Sequence, residues 1–76
     1  MSRVRILVID GQGGGLGRQL TAALAAGCPE AELTAVGTNS MAASAMLKAG
    51  AHHAATGENA VVVGCRRADI IVGPIG

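Results

Sequence analysis

Five of the seven residues from Gly11 to Gly17 are glycine, in the order Gly11-Gln12-Gly13-Gly14-Gly15-Leu16-Gly17. Glycine tolerates positive φ and lets a ligand approach the backbone N–H groups closely. Where such a loop opens a helix, those N–H groups and the positive end of the helix dipole suit an anion, above all a phosphate. The spacing is not G-x-G-x-x-G, because Leu16 stands where the third glycine belongs. It is G-x-x-x-G-x-G, through Gly11, Gly15 and Gly17. A phosphate loop of the Lys-Ser/Thr type is excluded, since neither residue follows the glycines. The competing explanation is that the glycines only allow a helix to pack tightly on a strand. Asp10 stands at the mouth of the loop, where a carboxylate would repel a phosphate; its other role is a turn cap at Asp10-Gly11.

Two more segments could meet the same ligand. Thr38-Asn39-Ser40 lies about 20 residues beyond the loop, where an NAD site usually carries an acid for the ribose hydroxyls. Here there is no acid, and the hydroxyls and amide could take the extra phosphate of NADP or a mononucleotide, or simply cap a helix. Gly73-Pro74-Ile75-Gly76 is a third turn. The remaining candidates are weak. His52-His53 and Cys65 have no metal-ligand spacing, so no metal is expected. Arg66 and Arg67 read as helix-end charges, and Met41 and Met46 as core. No catalytic group stands out, and whether the chain is an enzyme is left open.

These segments need elements to hold them. Val4 to Ile9 is a nearly continuous aliphatic run, as in a parallel strand buried on both faces. Leu16, Leu20 and Leu24 recur at helical spacing, and Gly27 and Pro29 end that helix. Ala31 to Val36 predicts a second strand and Met41 to Ala49 a second helix, closed by Gly50. Residues 51–55 form a connection with room for a short extended piece. Thr56-Gly57-Glu58-Asn59 begins a short third helix ending near Cys65, although Val61-Val62-Val63 also suits a strand. Asp69 to Val72 is the third strand. The result is an α/β chain, a three-layer Rossmann-like half with a parallel sheet in the order 3-2-1 or 2-1-3. Ligands of such sheets bind beyond the carboxyl ends of the strands, where all three candidate segments fall.

Composition narrows the partners. With 0% aromatic residues the chain cannot stack bases on rings, and a net charge of +1 gives no basic field, so nucleic acid is not expected. The apolar run Ala60 to Cys65 is far too short for a membrane span, and the amino terminus has no signal-peptide pattern, which predicts a cytoplasmic protein. Its 76 residues make one domain, residues 1–76, with a thin core, because Ala and Gly supply much of the apolar content. An open apolar sheet edge predicts a homo-oligomer or a missing carboxyl-terminal half.

The spacing through Gly11, Gly15 and Gly17 resembles the glycine motif of short-chain dehydrogenases/reductases, which holds a dinucleotide pyrophosphate. In that comparison Gly73 and Pro74 fall in the second cofactor-side loop. The chain has no Tyr, so the Tyr-x-x-x-Lys pair of those reductases is missing. Five blocks together are closer to another family. Residues 9–17, Gly37-Thr-Asn-Ser40, residues 45–50, residues 55–60 and residues 69–76 resemble the uncharacterised bacterial family called domain of unknown function 3842. That resemblance covers nearly the whole chain, implies a Rossmann-like fold and an amino-terminal part of a longer domain, and brings no activity. The expected function is therefore binding of NAD(P) or another nucleotide through Gly11 to Gly17, possible also within an oxidoreductase. The alternative is a non-catalytic regulatory or assembly subunit whose glycines serve packing.

Overall fold

β1 (Arg5–Asp10), α1 (Gly15–Gly27), β2 (Glu32–Gly37), α2 (Ser40–Ala49), β3 (His53–Thr56), α3 (Glu58–Arg67) and β4 (Ile70–Val72) follow in chain order. They are taken from a computed structural model that describes residues 3–11 and 15–73. The strands form one parallel sheet in the order β3-β2-β1-β4. This is the strand order of the first half of a doubly wound α/β fold. β1 runs down the middle, paired with β2 from Arg5↔Glu32 to Asp10↔Gly37 and with β4 from Ile6↔Ile70 to Val8↔Val72. Its aliphatic run follows from that position, since both faces and both edges are covered.

Successive strand residues point to opposite faces. Ile6 and Val8 of β1 join Leu33 and Ala35 of β2 and Ala42 and Met46 of α2 in the main core, with Leu20 and Leu24 of α1 packed against it. Leu7 points the other way, toward α3, where a Cβ on Gly64 would lie 3.0 Å from Leu7 Cδ1. The helices therefore form two outer layers, α1 and α2 on one face and α3 on the other. The layers differ in depth: Met46 is fully buried, whereas α3 has no buried residue. Small residues bring α1 and α2 together. Gly50 caps α2 at φ 130°, and a Cβ there would stand 2.8 Å from Ala25 Cβ.

The sheet has four strands where the sequence predicts three. The predicted strands stand in the order 2-1-3, and β3 adds outside the second, from Thr34↔His53 to Gly37↔Thr56. Its residues, His-Ala-Ala-Thr, lack the large β-branched side chains that mark a strand. The valines of α3 are helical, and the helix runs on through Arg66 and Arg67. Met41 is corrected from core to surface: it is 80% exposed, because the α2 positions facing the sheet are Ala42, Ala43 and Met46. Asp69 precedes β4 and ties it to β1, its N–H donating to Arg5 O at 2.8 Å and its Oδ2 accepting from Arg5 N at 2.8 Å.

His52 extends the β2–β3 ladder with a side chain. Its N–H donates to Leu33 O at 2.8 Å, and its Nδ1 accepts from Leu33 N at 3.0 Å. His53 reaches Glu32 instead, Nε2 to Oε1 3.5 Å. Replacing His52 by Ala should cost about 1 kcal/mol, the usual worth of one hydrogen bond. Asn at position 52, which keeps an acceptor, should restore most of it in urea unfolding. Coincident curves for wild type and the Ala variant would mean that the ring contributes nothing.

Candidate functional site at the carboxyl ends of the strands

The chain visits β2 and β3 on one side of β1 and then crosses to β4 on the other, so the sheet has its switch point between β1 and β4. The carboxyl ends of β1, β2 and β4 gather Asp10-Gly11, Thr38 and Gly73. Thr38 N donates to Asp10 O at 3.2 Å. Among the described residues, Thr38 Cγ2 is the nearest atom to a Cβ built on Gly11, at 3.9 Å, an ordinary contact. At Gly73 a Cβ would collide with the Ile9 carbonyl oxygen, so only glycine fits beside β1. Gln12, Gly13, Gly14 and Pro74, also expected in the site, lie outside the described residues.

Asp10 is 1% exposed and lies on the same face of β1 as Ile6 and Val8. Its Oδ2 accepts from Gly17 N at 2.9 Å. Asp10 therefore has a role beyond the local turn at Asp10-Gly11 that its position in the sequence suggests. The carboxylate reaches seven residues along the chain and caps the first turn of α1, where its charge also meets the positive end of the helix. This close approach accounts for Gly17, since a Cβ there would stand 2.5 Å from Asp10 Oδ2 and 2.8 Å from Met46 Sδ. Thr21, also buried, donates its hydroxyl to Gly17 O at 2.8 Å and holds that turn from below. Gly15 faces open space, and Leu16 is half exposed.

Asn39 is the N-cap of α2: its backbone is extended, and its Oδ1 accepts from Ala42 N at 2.9 Å. Of the two roles open to Asn39, helix capping uses this oxygen. Ser40 opens α2 and borders a groove shared with Arg18 of α1, on the outer helical face. Thr38 turns instead toward a cleft of ≈ 170 Å³ lined by Ile9, Asp10, Val36, Gly37, Thr38, Gly57, Glu58 and Val61. Its walls are mainly apolar, and Asp10, Thr38 and Glu58 are the lining residues with polar side chains. No His, Lys or Cys is among the described lining residues.

Sequence reasoning missed Gly57, Glu58 and Val61 as neighbours of Thr38. The acid absent from the end of β2 is brought there from the start of α3. The signal was Thr56-Gly57-Glu58-Asn59, a helix start with an acid in its first turn, but without β3 it could not be positioned. The weaker candidates do not converge. Among the described residues, no group of three His, Cys, Asp or Glu is placed to hold a metal. Arg66 and Arg67 occupy the last turn of α3, and Cys28 and Cys65 are free thiols. No helix among the described residues is long and apolar enough to cross a membrane. No curated protein and no solved structure matches the sequence. The family model described as domain of unknown function DUF3842 matches residues 5–76, and the chain belongs to that family.

Proposed function

We propose that the protein binds a nucleotide across the carboxyl ends of β1, β2 and β4, with the nucleoside in the Thr38–Glu58 cleft and the phosphates over the glycine loop. The observation that carries this reading is the difference among the glycines. Gly17 and Gly73 are needed for packing, but Gly11 and Gly15 are not, by any described neighbour. Gly11 also lacks a positive φ. Close approach of a ligand to the backbone is a reason for glycine at such positions. Because Asp10 already uses the Gly17 N–H, that donor is not open to a phosphate. Glu58 supplies the acceptor for ribose hydroxyls that NAD sites usually take from the end of the second strand. NAD(P) and simple adenine nucleotides are the ligands to try, in a cytoplasmic setting.

Gly11→Ala separates this from the second reading, a non-catalytic subunit whose glycines serve packing only. The second reading draws on Gly17 and on the β4 edge, where Ile70 and Ile71 are each about half exposed and would be covered in an assembly. On the nucleotide reading, Gly11→Ala should leave the unfolding midpoint nearly unchanged yet weaken binding of 5′-AMP or NAD by calorimetry. Glu58→Gln should weaken it about tenfold, since hydrogen bonds to charged groups are worth roughly 1.5 kcal/mol or more. Wild-type protein with no heat of binding for 5′-AMP, NAD or NADP would leave the packing explanation standing.

A further inference from the structure

We infer that the groove between α1 and α2 is an anion site, built to take the phosphate group of a phosphomonoester. The groove holds ≈ 410 Å³ and is lined by Arg18, Ser40, Met41, Ser44, Ala45 and Lys48. Ser40, Ser44 and Lys48 recur at i, i+4 and i+8, so they share one face of α2. Arg18 meets them from α1. Two cationic and two hydroxyl residues thus line one groove with no acidic residue in its lining.

The distribution of acids makes this more than a chance pair of surface charges. Neither α1 nor α2 contains Asp or Glu. Of the five acids in the chain, Asp10 is buried beneath α1 and engaged by Gly17 N. Glu30, Glu32 and Asp69 stand at the amino-terminal end of the strands, and Glu58 belongs to α3 on the opposite face. Among the described residues, Arg18 and Lys48 have no ion-pair partner. A guanidinium fork and an ammonium suit phosphate oxygens, with the serine hydroxyls as further donors. Met41, 80% exposed at the rim, offers apolar contact to whatever carries the phosphate. This favours an organic phosphomonoester over a free inorganic ion. The groove is open to solvent, so binding should be weak and fall as salt rises.

The phosphate could belong to the nucleotide proposed above, as a 2′-phosphate, because Ser40 is two residues past Thr38; or it could belong to a separate small molecule. Titrations of ¹⁵N-labelled protein with 2′-AMP, 5′-AMP, adenosine and inorganic phosphate at low salt distinguish these sources. The amides of Arg18, Ser40, Ser44 and Lys48 should shift with 2′-AMP or 5′-AMP, less with inorganic phosphate and not with adenosine. In the Arg18→Gln/Lys48→Gln double variant the binding should weaken at least fivefold, with the unfolding midpoint unchanged. A 2′-AMP preference with simultaneous shifts at Thr38 and Gly57 assigns the phosphate to the nucleotide of the Thr38–Glu58 cleft. Shifts confined to the groove support a separate phosphomonoester even where the nucleotide reading fails. Phosphate-dependent shifts that persist in the double variant, or none at the four groove residues in wild type, overturn the inference.

Discussion

Gly17→Ala is expected to lose about 3 kcal/mol, combining an overpacking cost of roughly 1–3 kcal/mol with part of the hydrogen bond from Gly17 N to Asp10. The added carbon would fall within 2.8 Å of both the Asp10 carboxylate and Met46 Sδ. Neither neighbour can retreat easily, since Met46 is fully buried and Asp10 is 1% exposed. In a domain of this size a loss of that order should lower the melting temperature by about 15 °C or more. Gly15→Ala is the matched control. It lies in the same turn, faces open space, and should be neutral or slightly stabilising because Ala favours helix over Gly. Differential scanning calorimetry of the pair checks the claim. Equal melting temperatures would mean that strand and helix do not approach as closely as the structure has them.

The second large effect concerns charge. Asp10→Asn keeps an oxygen that can accept from Gly17 N, but removes a negative charge from the mouth of the loop. Stability should fall by about 1 kcal/mol, because the charge also serves the positive end of α1. Binding of a phosphate-bearing nucleotide should tighten about tenfold. Two charges ~4 Å apart repel by roughly 4 kcal/mol at an effective dielectric of about 20, and a third of that suffices. Calorimetric titration with NAD, with and without Mg²⁺, checks the direction. A large, metal-dependent loss of affinity would instead make Asp10 a magnesium ligand that bridges to the phosphate. Asp10→Ala, which leaves the Gly17 N–H without this acceptor, should be the less stable of the two variants.

The features legible in the sequence were those written in large or conformationally extreme residues. The aliphatic run of β1, the leucine spacing of α1 and the glycine density of the loop each signal an element directly. Thr38-Asn39-Ser40 could be read as the start of α2, since amide and hydroxyl side chains favour a helix N-cap, but which of them is the cap could not. β3 was hidden, since Ala54 and Ala55 carry no strand signature and its pairing with β2 is a tertiary event. With β3 unseen, Glu58 could not be brought to the end of β2. Asp10 was visible as a charge in an awkward place, but its partner seven residues on depends on how closely α1 lies over β1. Met41 and Met46 look alike in the sequence, and only the angle at which α2 meets the sheet separates them.

The shallow seating of α3 has a consequence for how the molecule opens. With no residue of α3 buried, this helix can leave the sheet while the core shared by β1, β2, α1 and α2 stays intact. Such a sub-global opening needs less free energy than unfolding the whole domain, so protection against amide exchange divides into two tiers, low in α3 and high in β1. Gly57 and Glu58 travel with α3, and they form one wall of the cleft beside Thr38. The same fluctuation that exposes the amides of α3 therefore unlatches that wall, and the residence time of anything held there is tied to the stability of one loosely seated helix.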